Sequence, residues 1–438
     1  PAAERKFGRV ANNAPIFTAL EPSVDLDDGL DDVRLIADAL VHGVMVLTGG
    51  PGTGKTTTIN TLISYFESEG LQILLAAPTG RAAKRLSEAT SHEAKTVHRL
   101  LEMSYSDGNR AEFARNEENR LDEDVVIVDE TSMLDVPLTA ALVRAIKPGA
   151  KLIFIGDADQ LPSVGPGNVL HDLIRSARFT TVELNEIFRQ AKNSLIVTNA
   201  HAINHGQMPE LFAKDNDFFF LRRENDRDIA LTVADLCRNR LPKTYGAGIV
   251  NDIQVISPSR KGEAGTENLN CLLQSTLNPP APGKREHKVR DTVFREGDRV
   301  MQVRNNYDIV WEKQGDDEQG TGVFNGDVGE IIRIFPQQEC MVIRFDDRIA
   351  TYTFDMLNEL ELAYAVTVHK SQGCEYPAVI IPLSGVPPML MYRNLLYTAV
   401  TRAKKMVIIV GSEEIVRKMT ENNRQNKRYS ALKEFLSV

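Results

Sequence analysis

The chain has 438 residues, 42% of them hydrophobic and 25% charged, with a formal net charge of −9. That length exceeds one hydrophobic core and implies about two to four domains, and the acidic balance excludes a protein that coats nucleic acid through bulk positive charge, though not one with a locally basic groove. No apolar stretch approaches the ~20 residues of a membrane span, the N-terminus lacks the basic-then-apolar layout of a secretion signal, and the four cysteines (Cys237, Cys271, Cys340, Cys374) form no C-x-x-C pair, which excludes a zinc ribbon or a disulfide scaffold and suits a reducing cytosol.

Residues 1–30 are acidic and weakly patterned and read as a linker, followed by a short helix near 30–41. From Val44 the texture changes. Apolar runs "VMVLT" (44–48), "ILLAA" (73–77), "VVIVD" (125–129) and "KLIFIGD" (151–157) alternate with amphipathic stretches. Continuous Val/Ile/Leu runs are what strands buried on both faces require, and intervening helices imply a parallel sheet. The polar stretch 104–124, with Asp107-Gly108 as a turn signal, interrupts that rhythm as an inserted hairpin or surface loop. A second series runs from "TTVEL" near 180 through a helix containing "NSLIVTNAHAINHG", "DFFFL", a helix over 226–240 and "IQVIS" (253–257), and resumes at "AVIIPL" (378–383) and "MVIIVG" (406–411). Between them, about 292–356, short alternating segments joined by Gly, Asn and Asp turns predict a small antiparallel β-barrel inserted in the second α/β unit.

"GGPGTGKTTT" (49–58) satisfies G-x-x-x-x-G-K-[ST] between an apolar strand and an amphipathic helix. Its glycines let backbone N–H groups of Gly50, Gly52, Thr53, Gly54 and Thr57 curl around phosphate at a helix N-terminus. Lys55 reaches the β- and γ-phosphates and Thr56 holds Mg²⁺. "VVIVDE" supplies Asp129 for the metal and Glu130 to orient or deprotonate the attacking water. A strand-terminal acidic pair can equally face solvent; the preceding P-loop is what favours catalysis. Gln160, in "FIGDADQLPSVGPGN", lies where a side chain can sense a γ-phosphate, and "LNEIFRQ" offers Arg189. "GRAAKRL" (80–86) is basic at helical spacing, either as a solvated helix face or as a nucleic-acid contact. Phe324, Tyr307 and Trp311 in the barrel are core residues or stacking platforms for bases. His201 and His205 are one helical turn apart, but without a third ligand they read as ordinary helix residues.

The ordered set "GGPGTGKTT", "APTGRAAKRL", "TVHRLL", "VDETSM", "GDADQLPSVGPGN", "EIFRQ", "TVHKSQGCE" and "LLYTAVTRAKK" resembles the superfamily-one helicases of the RecD-like, 5′-to-3′ branch, in particular the stand-alone bacterial enzymes that act without RecB and RecC. The resemblance covers about 30–412 and implies two RecA-like P-loop NTPase domains with parallel sheets, an inserted β-hairpin and an inserted small antiparallel β-barrel. The expected layout is a linker over 1–30 from a missing N-terminal region, a first RecA-like domain over 31–179 with a pin-like insertion at 102–124, a second over 180–291 and 357–438, and the barrel over 292–356. The resemblance further implies ATP and Mg²⁺ as cofactors, with Gln160, Arg189 and Arg402 converging on the γ-phosphate across the cleft and Glu375 near the nucleotide sugar. Thr79, Arg81, Thr96, His98, Thr367, His369 and Lys370 fall in motifs that track single-stranded DNA. Such enzymes carry a Gln upstream of the P-loop that reads adenine; Asp31-Asp32 stand in that region here.

The expected function is an ATP-dependent translocase on single-stranded DNA that unwinds duplexes at single-strand/double-strand junctions in repair or recombination, as a monomer in the bacterial cytoplasm. The alternatives are a related motor on RNA, the motor half of a conjugative relaxase, or a non-catalytic nucleic-acid clamp.

Overall fold

The computed structural model describes residues 43–106, 110–188, 191–213, 216–315, 318–424 and 432–437. The expected linker and short helix, Asp31-Asp32, the Asp107-Gly108 turn and Arg189 lie outside the described residues. The first unit opens with β1 (Val44–Gly49), buried from Met45 onward, and α1 (Lys55–Ser68), which buries Ile59, Leu62, Ile63 and Phe66 at the spacing of one helical face. Then come β2 (Ile73–Ala77), α2 (Gly80–Thr90), β3 (Ala94–Thr96) and the hairpin β4 (Met103–Ser106)–β5 (Arg110–Phe113). β6 (Val125–Val128), α3 (Val136–Ala145), β7 (Lys151–Gly156), α4 (Val169–Ser176) and β8 (Thr180–Leu184) complete it. The strands form one parallel sheet in the order β3-β2-β6-β7-β1-β8. "TTVEL", read from the sequence as the start of the second unit, instead pairs with β1 as the edge of this first sheet. The physical reason is that Val182 and Leu184 add to the apolar face formed by α1 and the central strands, which the exposed edge would otherwise leave open.

The second unit comprises α5 (Leu195–Asn204), β9 (Phe218–Arg222), α6 (Asp226–Asp235), continued by a π-helical turn over Leu236–Arg240, β10 (Ile253–Ser257) and α7 (Thr266–Leu277). A two-stranded hairpin, β11 (Glu286–Val289) and β12 (Thr292–Arg295), leads into β13 (Arg299–Gln302), β14 (Asn306–Lys313), β15 (Gln319–Val323), β16 (Val328–Phe335), β17 (Cys340–Phe345), β18 (Arg348–Thr353) and β19 (Leu360–Leu362). β13 to β19 make an antiparallel half-barrel in the order β15-β14-β18-β17-β16-β13-β19. Its strands therefore span 299–362 rather than 292–356, because β12 pairs only with β11 and β19 closes back on β13. The chain then re-enters the second sheet through β20 (Ala365–Thr367), β21 (Tyr376–Leu383), α8 (Arg393–Val400) and β22 (Ala403–Gly411), followed by α9 (Glu413–Glu421). That sheet is parallel, ordered β20-β10-β21-β22-β9. A last helix, α10 (Leu432–Ser437), crosses back to pack Leu432 and Leu436 on the first unit's core.

The half-barrel shares its core with the second unit: Val300, Phe345 and Tyr352 lie in one apolar cluster with Leu269, Val255 and Ile380. Asp298, fully buried, is the polar joint between them. It accepts from Gln274 at 2.6 Å, Asn278 at 2.7 Å, the Arg295 amide at 2.7 Å and the Tyr364 hydroxyl at 3.0 Å. Burial raises its carboxyl above the ordinary range even though all four donors favour the ion. Asp298→Ala would strand those donors, so a loss of about 3 kcal/mol is expected, measured by denaturant unfolding, with limited proteolysis cutting first in the half-barrel.

Candidate functional site

In each sheet all strands point the same way, so the loops after their C-terminal ends collect at one edge, where ligands of open α/β sheets bind. The P-loop follows β1, Asp129-Glu130 follow β6, and Asp157 to Leu161 follow β7; β6, β7 and β1 are adjacent. Gly52 and Gly54 take φ of +72° and +87°, the left-handed region that side chains disfavour, and Gly54 caps α1 without a side chain. The amides of the first turn thus face outward unpartnered by any cap, as an anion requires. Lys55 Nζ donates to the carbonyls of Gly49 and Gly50 at 2.6 and 2.8 Å, so the loop is closed on its own cation. Thr56 and Thr57 are exposed at the start of α1.

Asp129 accepts from the Glu130 amide at 2.8 Å, and burial, reinforced by the Glu130 charge, pushes its carboxyl up to about 6. Glu130 adopts a left-handed backbone (φ 51°) and is 8% exposed. A glutamate held in this strained conformation is over-determined by its surroundings, as functional residues often are. Its partner is Arg85 of α2, at 3.5 Å, which also binds Glu375 of the second unit at 2.8 Å; Lys404 holds the other oxygen of Glu375 at 3.2 Å. The donor chemistry suits Mg²⁺: one hydroxyl at Thr56 and one half-buried carboxylate at Asp129 leave the remaining octahedral positions to phosphate oxygens and water. Among the described residues no cluster of three or more His, Cys, Asp or Glu side chains could hold a metal by itself.

The loop after β7 is held by the second unit. Asp157, 1% exposed, accepts from Tyr397 at 2.7 Å and from Gln160 at 3.1 Å. Asn204 and Asn394 bind Asp159 at 2.7 and 2.6 Å, Thr398 accepts from the Leu161 amide at 3.0 Å, and Gln372 donates to the Leu161 carbonyl at 2.7 Å. Leu161 itself is buried in the second unit's core beside Ile196 and Tyr397. Arg402, 2% exposed, hydrogen-bonds Thr398 O, Cys374 O and Thr401 Oγ1 at 3.2 to 3.3 Å. It therefore sits one helical turn beyond the residue that holds Leu161. Gln160 and Arg402 are thus brought to the same seam. Glu375 lies against Arg85 and Lys404.

Several residues at this seam carried no signal of their own in the sequence. His201 of α5 meets the Pro51 carbonyl at 3.2 Å; because a carbonyl only accepts, Nε2 carries the proton there. Phe188, 40% exposed, bonds its amide to Gly52 O at 3.1 Å and lays its ring over Gly54. Asp157, Tyr397 and Arg85 complete the set. Only the period of α5 and the motif flanks bore on them, since each is defined by a partner far off in the chain.

Of the residues expected to track DNA, Thr79 and Thr96 cap α2 and the helical turn Val97–Leu100, accepting from Ala82 N at 3.3 Å and Arg99 N at 3.1 Å; each hydroxyl keeps a proton to donate. Arg81 points across to Cys374 and Tyr376 of the second unit at 3.5 and 3.4 Å. His98 lies 6.3 Å from the Phe113 ring, and burial lowers its pKa, which leaves it neutral at pH 7. Thr367 ends β20, with His369 and Lys370 in the next turn; Lys370 pairs with Glu361 at 2.7 Å. Tyr307 and Phe324 stack edge to face, and Phe324 adjoins Gly80, while Trp311 lies under Arg348. Among the described residues no helix is long and apolar enough to cross a membrane.

Two RecA-like sheets facing each other across a P-loop, an acidic strand end and a second-domain helix define a P-loop NTPase of the helicase kind. Family models described as an AAA domain, the SH3 domain of ATP-dependent RecD-like DNA helicases and a UvrD-like helicase C-terminal domain match residues 33–166, 269–345 and 362–410. The ATP-dependent RecD2 DNA helicase of Deinococcus radiodurans is 36% identical over 372 residues, which is 85% of this chain and 47% of that protein. The RecD subunit of the RecBCD enzyme of Mycobacterium tuberculosis is 34% identical over 434 residues, 89% of this chain and 70% of that protein. The chain belongs to the RecD-like family of superfamily-one helicases; it spans just under half the length of the Deinococcus relative. Pif1 helicase from Bacteroides, in a crystal structure with ADP-AlF3 and ssDNA, shares the fold with a TM-score of 0.52 at 20% identity, over 94% of this chain and 97% of that one. Pif1 from Candida albicans gives 0.51 at 17%, over 92% and 97%.

Tyr397→Phe removes the one side-chain bond that crosses from α8 to Asp157 while leaving the ring in place. The expected loss is about 1–2 kcal/mol, read as a lower thermal midpoint together with faster amide exchange at Leu161, whose amide is bonded in the same seam.

Proposed function

We propose that the chain is the motor of an ATP-driven DNA helicase that translocates on single-stranded DNA, 5′-to-3′ by family resemblance, and opens duplexes at single-strand/double-strand junctions in repair or recombination. The observation that carries this reading is the two-domain seam: α8 of the second domain is bonded through Tyr397 and Thr398 to the loop that follows β7, beside the P-loop. In this reading Lys55 leaves the Gly49 and Gly50 carbonyls for the β- and γ-phosphates, while amides from Gly50 to Thr57 cradle them. Thr56 and Asp129 hold Mg²⁺, which supplies charge neutralisation at the phosphates. Glu130 takes a proton from the attacking water as that water bonds to the γ-phosphorus and the bond to ADP breaks. Gln160, Arg189 and Arg402 stabilise the transferring phosphoryl group, a contribution of about 10³–10⁵ in rate for such an arginine.

Because the arginine comes from the second domain, hydrolysis is linked to closure of the cleft, and the two domains form a two-state element biased by nucleotide. Thr79, Arg81, Thr96, His98, Thr367, His369 and Lys370 supply strand contacts along the C-terminal edges of the two sheets, where the amides and hydroxyls of loops meet phosphates. The β4–β5 hairpin acts as a pin at the fork. Melting DNA costs on the order of 1.4 kcal/mol per base-pair step, which is small beside the free energy that one bound nucleotide can deliver. The proposed setting is the bacterial cytoplasm and the proposed working state a monomer.

Duplexes with a 5′ or a 3′ single-stranded tail, with and without ATP, test motor activity and direction together; unwinding of only the 5′-tailed substrate is expected. ATP turnover stimulated by single-stranded DNA and not by RNA of the same length excludes the RNA motor. Lys55→Ala is expected to abolish turnover. Arg402→Ala is expected to keep nucleotide binding, measured by fluorescent-nucleotide titration, and to lose about 10³-fold in turnover. Hydrolysis at the parent rate would refute the two-domain site.

A further inference from the structure

α2 spends its polar face on the second domain and its insertion. Ala82, Ala83 and Leu86 bury one side of the helix in the first domain. On the other side, Arg81 reaches Cys374 and Tyr376, Lys84 pairs with Asp346 of the half-barrel at 2.7 Å, and Arg85 pairs with Glu375 at 2.8 Å. These side chains line a cavity of about 730 Å³ between the first domain, the second domain and the half-barrel. Spacing of i, i+3, i+4 puts all three cations on one stripe, so displacement of the second domain pulls on the whole helix. Of the three, Arg85 is the one that meets two carboxylates: besides Glu375 it faces Glu130 at 3.5 Å, and it is half-buried between them. A carboxylate oriented by a guanidinium is held toward that cation and is not free to orient a water. Glu130 and Glu375 compete for one cation, and they sit on different domains.

We propose that Arg85 is a positioning residue that restrains Glu130 in the resting state and is drawn from it by Glu375 when the domains move on single-stranded DNA, so that hydrolysis waits for the strand. The inference rests on the reading of Glu130 as the group that activates water. Arg81, one turn away on the same stripe, belongs to the motif expected to touch the strand, and α2 is the rigid link between that contact and Glu130.

The test measures ATP turnover of the full chain with and without oligo(dT). Arg85→Ala is expected to raise the DNA-free rate by at least about threefold and to lower the stimulation ratio by the same factor, the size of a partly exposed ion pair. Glu375→Gln, which leaves Arg85 to Glu130, is expected to lower the DNA-free rate by about twofold or more. The double variant should match Arg85→Ala, because Glu375 acts through Arg85. An unchanged stimulation ratio in Arg85→Ala, whether the rates stay or fall together, overturns the proposal. So does a Glu375→Gln effect that persists in the Arg85→Ala background. Should Arg85→Ala not fold, Arg85→Lys serves: a lysine cannot fork between two carboxylates, so its ratio is expected to fall by a smaller factor, and an unchanged ratio overturns the proposal equally. Glu130→Gln separates the two readings: turnover that survives this change refutes Glu130 as the activating base whatever Arg85 does.

Discussion

Tyr397 reaches across a domain boundary to donate 2.7 Å to Asp157, an aspartate with 1% exposure. A carboxylate this deeply buried is costly unless its oxygens are bonded. Here the bonds come from Gln160 and the Asp159 amide of its own domain and from Tyr397 of the other. Leu161, three residues on from Ala158, is sunk in the second domain's core. The loop after β7 therefore belongs to the first sheet by chain and to the second domain by packing. Everything that lies next to it inherits that double allegiance: the P-loop on adjacent β1, Arg402 one turn beyond Thr398, and His201 against Pro51.

Local charge explains how an acidic chain can serve phosphates. The net charge of −9 is spread over the whole molecule, while Lys55 and Arg85 stand close to Asp129 and Glu130. Burial pushes Asp129 up to about 6, whereas Arg85, which desolvation alone would lower, is raised by the charges of Glu375, Glu130 and Asp129. Each ion in this group is kept by its neighbours, so the site is a set of coupled charges in which moving one domain changes the partners available to the other.

The half-barrel is joined to the second domain more tightly than a typical inserted module, since the two share an apolar cluster and the fully buried Asp298 junction. Its contacts with the first domain are of another kind: Lys84 with exposed Asp346, and Phe324 beside Gly80. Exposed ion pairs contribute little. The half-barrel is thus joined to the second domain by a shared core and to the first by surface contacts.

The sequence by itself determined the elements and the chemistry that local pattern encodes. Unbroken Val/Ile/Leu runs demanded strands buried on both faces, the Gly-rich loop before Lys55 demanded a backbone that curls around phosphate, and the Gly/Asn/Asp-punctuated segments demanded an antiparallel insertion. Each of these depends on neighbours within a few residues, so each is legible from one stretch of chain. The tertiary structure decided the rest. "TTVEL" went to the first sheet because the open edge of β1 needed a partner there, a need that "TTVEL" does not carry in its own residues. Arg85 looked like any basic helix residue, and His201 like any helix histidine. Their roles come from Glu130, far along the chain of the same unit, and from Glu375 and Pro51, which meet Arg85 and His201 only where the two units pack together. An ion pair or hydrogen bond between distant segments is set by that docking, and no period or spacing records it.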